Sequence, residues 1–167
     1  MTGKREAMER IPEIKLEFFL EKLDAEEMDW QAVTDRLGIQ PAKRTQPRMS
    51  KGTTARPFTK AELETFRFSQ AAAGEAGYHI LLHAAWSVTL PKMETWALEE
   101  PMAQMRKRFW GKGSDVRALC AEYRLAASLT VHIYADANTM PEVELSESDM
   151  AFWSSMGATV NFDFALD

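Results

Sequence analysis

Strict alternation of apolar and polar residues is the feature that most constrains this chain. Ile14, Leu16, Phe18 and Leu20 point one way, and Lys15, Glu17, Phe19 and Glu21 the other. The same period of two runs through His79–Leu90, with Ile80, Leu82, Ala84, Trp86, Val88 and Leu90 sharing a face. It recurs at Ala127–Ala135, where Leu129, Val131 and Ile133 alternate with Ser128, Thr130, His132 and Tyr134, and again at Val160, Phe162, Phe164 and Leu166. Period two is the signature of a strand buried on one face only. Strands buried on both faces would read as continuous apolar runs. The pattern therefore predicts an α+β fold: a two-layer sandwich with a largely antiparallel sheet and helices on one face, the other face being wet or covering a partner.

Between the strands lie helix signals. Asp24 is placed to cap a helix, with Glu27 three residues on and Trp30, Val33 and Leu37 along one side before Gly38. Leu98, Met102, Met105 and Phe109 form a second stripe; Gly111 and Gly113 end it and Ser114 caps a third helix carrying Val116, Leu119, Cys120 and Tyr123. Ser146, with Asp149 at its third position, caps a fourth whose buried side is Met150, Trp153 and Met156. Pro91 is expected to stop the strand before it, and Leu63–Gln70 reads as a short extra strand. The segments after Leu23 and Leu145 echo each other as cap, acid, Met, Trp and apolar-Gly stop, which suggests a pseudo-twofold pair of strand–helix units.

At 167 residues the chain holds one domain of ordinary size, here residues 14–167, behind a disordered tail over 1–13. Its 46% hydrophobic content excludes wholesale disorder. Charge is unevenly spread. Gln40–Lys60 carries six basic residues and no acid, with Pro41, Pro47, Gly52 and Pro57, and so reads as a long basic loop; Ala121–Asp167 carries one basic and eight acidic residues. A net charge of -5 disfavours nucleic acid as a partner. No apolar run suits a membrane span and no secretory leader is visible. The single cysteine, Cys120, cannot form an internal disulfide or a thiolate zinc cluster, so a reducing cytoplasm fits best.

The order of strand, capped helix ending in Leu-Gly-Ile-Gln-Pro (37–41), basic loop, Trp-Ser-Val-Thr-Leu (86–90), Leu-Glu-Glu-Pro-Met (98–102), and the closing Leu145–Met150 and Met156–Asp163 motifs resembles the bacterial domain of unknown function 4279 over about Ile14–Leu166. The resemblance implies a small cytoplasmic α+β domain and supplies no activity, cofactor or catalytic residue.

Nucleotide-binding glycine loops, zinc-protease, nucleophile-elbow and EF-hand signatures are all absent from the sequence. What remains is a set of binding candidates. His83, His132, Tyr134 and Asp163, with Glu17, take outward strand positions and would share the open sheet face if their strands adjoin; two imidazoles and a carboxylate there could bind a metal or run acid–base chemistry. The bland alternative is a solvated face that needs polar residues anyway. Phe19, Leu81 and Tyr134 on that face suggest a protein partner or a face-to-face homodimer. Arg44, Arg48 and Lys51 of the basic loop suit a small anionic ligand. Catalytic residues, metal ligands and cofactors are not assigned. The sequence thus points first to a non-enzymatic protein-interaction or small-ligand-binding module, and second to an enzyme or metal-binding domain using the open face. The helical patterns place Trp30 and Trp153 in the core, so replacing either by Ala should cost about 3–5 kcal/mol; an unchanged denaturation midpoint in both variants would remove that placement.

Overall fold

A computed structural model of the chain describes residues 10–24, 26–51, 54–57, 59, 61–62, 78–81, 83–136 and 138–166. The parity of the first alternating segment organises the rest. Strand β1 (Glu13–Lys22) lies between β6 (Ala84–Glu94) and β7 (Ala126–Ala135), antiparallel to both. Phe18 pairs with Val88 on one side and Leu129 on the other. Paired residues share a face, so Leu16, Phe18 and Leu20 join Leu90, Val88 and Trp86, and Val131, Leu129 and Ala127, in one buried row after another. Strand β2 (Lys43–Thr45) adds antiparallel outside β6, and β8 (Thr159–Leu166) adds parallel outside β7. The five-stranded sheet has the order β2-β6-β1-β7-β8 and is open and mixed, with one parallel pair in four.

Four helices cover the buried face. Helix α1 (Trp30–Leu37) lies beside α3 (Gly113–Tyr123), α2 (Glu99–Phe109) lies over β1 and β6, and α4 (Glu147–Ser155) sits against α2 and β8. The centre of this layer is aromatic: Phe18 and Phe109 ring centroids are 4.4 Å apart, and Trp153 stands 5.9 Å and 6.1 Å from them. The fold is thus the α+β, largely antiparallel, two-layer sandwich read from the alternation, and Trp30 and Trp153 are both buried.

Several local expectations are corrected. The first helix begins at Trp30 and its cap is Asp29, which accepts from the Gln31 and Ala32 N–H groups. Asp24 is engaged elsewhere. Lys22, at the end of β1 and only 6% exposed, places its ammonium 3.1 Å from Asp24, 3.2 Å from Glu26 and 3.1 Å from the Tyr123 carbonyl. With the caps displaced, Trp30 opens α1 whereas Trp153 is the seventh residue of α4, so the sequence echo does not place the two at equivalent helical positions. Ser146 does cap α4, accepting from the Asp149 N–H at 3.1 Å, but Met150 is 52% exposed and Asp149 takes the buried position instead. Helix α3 starts at Gly113, with no side-chain cap from Ser114.

Pro91 does not stop β6, which continues to Glu94. Three residues of β1, Ile14 to Leu16, oppose four of β6, Leu90 to Met93, so Pro91 falls at a bulge, where the regular ladder is interrupted. The alternating segment that ends there is split in two. Tyr78–Leu81 forms β5 of a separate small sheet, order β4-β3-β5, with β3 (Arg48–Lys51) and β4 (Thr54–Arg56). The basic stretch at 40–60, expected as a loop, therefore contains three short strands, because the chain uses it to edge one sheet and build another. Of the expected tail, Pro12 accepts a hydrogen bond from the Thr95 N–H and Glu13 already belongs to β1. The proposed strand at Leu63–Gln70 lies outside the described residues.

Burial pushes the Asp24 carboxyl up, but hydrogen bonds from Lys22 and the Glu26 N–H, with the charges of Lys22 and Arg124, hold it below its ordinary value of 3.8. A lowered folded value means a contribution present above the ordinary value and lost as pH falls through the lowered one. Asp24→Asn should therefore destabilise the protein at neutral pH by on the order of 1 kcal/mol, and the gap should close in acid below the carboxylate range. Denaturation midpoints of both proteins against pH check this; a gap independent of pH would refute it.

Candidate functional site

Three neighbouring strands each contribute one polar side chain to a line on the face opposite the helices. In register, Lys15 of β1 stands opposite His132 of β7, and His132 opposite Asp163 of β8. Glu17, two residues along β1, shares this face by parity. The His132 Nδ1 is 3.0 Å from Asp163 Oδ2, and its Nε2 is 3.7 Å from Glu17 Oε2. Glu17 also accepts from the Ser87 and Thr89 hydroxyls at 3.4 Å and 3.3 Å and pairs with the Lys15 ammonium at 3.3 Å. Glu17 and His132 are largely shielded, with side-chain exposures of 16% and 21%, whereas Asp163 on the edge strand is 66% exposed.

The chemistry of this line is specific. With Nδ1–H donated to Asp163, the imidazole is fixed in orientation and tautomer. Its Nε2 is then shielded from solvent and has no hydrogen-bond partner among the described residues. The neighbour of Nε2 is a carboxylate, not a hydroxyl or thiol. Ser87 and Thr89 direct their hydroxyls to Glu17, so neither is lined up on the ring as a nucleophile. Among the described residues, no group of three His, Cys, Asp or Glu side chains is arranged to hold a metal ion.

The other candidates separate. His83 precedes β6, whose first residue Ala84 pairs with Lys22, while His132 pairs with Lys15. Seven residues of β1 at about 3.3–3.4 Å each put the two histidines at opposite ends of the sheet, on the order of 25 Å apart. Tyr134 lies beside His132 on the same face, but the Lys92 ammonium covers its ring at 3.7 Å from the centroid and pairs in turn with Glu13 at 3.0 Å. Leu81 belongs to the small sheet, not to the open face. Phe19 pairs with Ser128, six residues from Tyr134 along β7, so these two apolar groups stand about 20 Å apart and make no continuous patch. The basic candidates are divided as well. Arg44 sits on β2 and donates to the Gln31 side chain at 3.2 Å, beside a cavity of about 260 Å³ lined by Met28, Trp30 and Gln46. Arg48 and Lys51 belong to β3 of the small sheet.

Two features were not singled out from the sequence. A cleft of about 300 Å³ between the starts of α2 and α4 is lined by Glu99, Glu142, Glu144, Ser146 and Asp149. Asp149 is buried there and held by the Ser146 hydroxyl at 2.6 Å and the Arg106 guanidinium at 3.0 Å. The acid-rich C-terminal quarter carried the compositional signal for it. The second is β8. Val160, Phe162, Phe164 and Leu166 occupy the helix-side parity, yet the last three are 37%, 46% and 57% exposed, because α4 covers only the start of the strand. Cys120 is half-buried, and burial pushes its thiol up, consistent with packing and not with nucleophilic use.

An open five-stranded sheet roofed by helices on one side, with a second, three-stranded sheet, defines a small α+β sandwich. Over residues 12–167 the chain matches the model of the family described as Domain of unknown function (DUF4279), and it belongs to that family. No curated protein and no solved structure matches it. No helix among the described residues is long and apolar enough to cross a membrane.

The geometry at His132 generates a direct expectation. Nitrogen-15 spectra of the neutral ring should report the Nδ1–H tautomer in the native protein, and Asp163→Ala should shift it towards the Nε2–H form. An Nε2–H ring in the native protein would disprove the Asp163 contact.

Proposed function

We propose that this chain is a non-enzymatic protein-interaction module whose contact surface is the β8 edge of its sheet. The observation that carries this reading is the combination of an outer backbone edge, unpaired among the described residues, with a row of exposed apolar side chains along it. Unpaired N–H and C=O groups on an edge strand are a template for another extended segment, and side chains of alternating parity give that pairing selectivity. Natural edges are usually blunted by shortness, lysines, proline or bulges. At the opposite side of the sheet β2 is so guarded: it has three residues, two of them the exposed Lys43 and Arg44. Strand β8 has eight residues, Thr-Val-Asn-Phe-Asp-Phe-Ala-Leu, with one charge, and that charge faces His132.

A second reading, an enzyme or ligand-binding domain using the open face, is favoured by one observation, the orphaned Nε2 of His132 beside Glu17. Among the described residues no nucleophile is aligned on that ring, and His83 does not converge with it. The edge reading accounts for an exposed apolar row that a solvated edge strand does not need.

Comparative capture from the native host tests the proposal. The native chain and Phe164→Lys should differ in the proteins they retain, whereas Trp110→Ala, on the exposed end of α2, should retain the native set. Identical sets from the native chain and Phe164→Lys would sink the edge as the contact surface.

A further inference from the structure

Resting on the reading of β8 as the contact surface, we infer that its occupant is the β8 strand of a second copy of this chain, paired antiparallel about a twofold axis centred on Phe162. Self-pairing demands that a strand be its own complement, since an isologous contact presents the same surface twice. The eight residues of β8 meet that demand with Phe162 at the centre. With Phe162 opposite its symmetry mate, Val160 faces Phe164, Asn161 faces Asp163, and Thr159 faces Ala165 of the second copy. Apolar meets apolar on the helix side. On the open side the Asn161 amide donates to the only carboxylate, whose other oxygen remains with His132. Moving the centre one residue, to Asp163, sets Asp163 against its own mate, and like charges directly opposite destabilise a strand pair. The single charge of β8 therefore disfavours the register centred on Asp163.

The result is a continuous ten-stranded sheet with the helices of both copies on the same side, in which Phe162 and Phe164, 37% and 46% exposed in the single chain, gain aromatic and aliphatic cross-strand neighbours. The competing head-to-tail contact, β8 against β2 of the next copy, would not close and would build filaments. It is disfavoured by the three-residue length of β2.

Sedimentation equilibrium of the full chain should give a concentration-dependent mass twice 19.0 kDa. Phe162→Lys should return it to the monomer with an unchanged circular dichroism spectrum. The register is read by thiol cross-linking in a Cys120→Ser background. Phe162→Cys should form a disulfide-linked dimer on mild oxidation, because opposed residues of an antiparallel pair lie within disulfide reach. Phe164→Cys should not, because the two thiols would be four residues apart along the pair, about 13 Å. A monomer at all concentrations, a mass that grows past the dimer, or cross-linking through Phe164→Cys but not Phe162→Cys would each overturn the inference. A monomeric native chain that still loses captured proteins in Phe164→Lys overturns self-pairing alone; a dimer unaffected by Phe162→Lys together with unchanged capture overturns the edge reading itself.

Discussion

The hydrogen-bonded position of β1 between β6 and β7 governs the rest of the molecule. A strand laddered on both sides has no freedom to slide, and a slip of one residue would exchange its faces. Ile14, Leu16, Phe18 and Leu20 are therefore committed to the helix layer, and Lys15, Glu17 and Glu21 to the opposite face. That commitment propagates outward through cross-strand pairing. It buries Trp86 and Leu129, it turns His132 to the opposite face, and through β7 it decides which side chains of β8 lie beside the core and which beside His132.

Much of this was legible because alternation is a statement about water. A residue pair such as Phe18 and Glu17 can satisfy both faces in one conformation only, so the period of two fixed the strands, and the periods of 3.6 through Met102 and Phe109 fixed the helix layer. What failed were the boundaries set by competing local partners. Asp24 has the composition of a cap, but a nearby buried ammonium outbids the helix for its carboxylate, and Asp29 takes the capping role. Pro91 resembles a terminator, yet a bulge on a stretch of β6 with no second neighbour accommodates it. The basic residues from Lys43 to Arg56 lack any period, so their use as short strands had no signature in the sequence.

The candidate site was legible in part for the same reason. Parity put Glu17, His132, Tyr134 and Asp163 on one face, and three of them converge. Parity carries no information about strand order or position along the sheet, so it also grouped His83 with them, at the far end. The exposure of Phe162 and Phe164 was hidden more deeply. They have the parity of core residues, and only the extent of α4 leaves them uncovered. Alternation on an edge strand thus records the side a residue faces, while coverage depends on how far the second layer reaches.

The order of strands in the sheet has a consequence for synthesis. Phe18 of β1 must wait for Val88, 70 positions downstream, and for Leu129, 111 positions downstream. At roughly 5–20 residues per second on the ribosome, the earliest strand of this sheet spends several seconds or more with its greasy side bare before either neighbour exists. Nascent chains of this topology must therefore acquire their tertiary structure almost wholly after translation has passed β7, and their need for shelter is greatest at the end that emerges first.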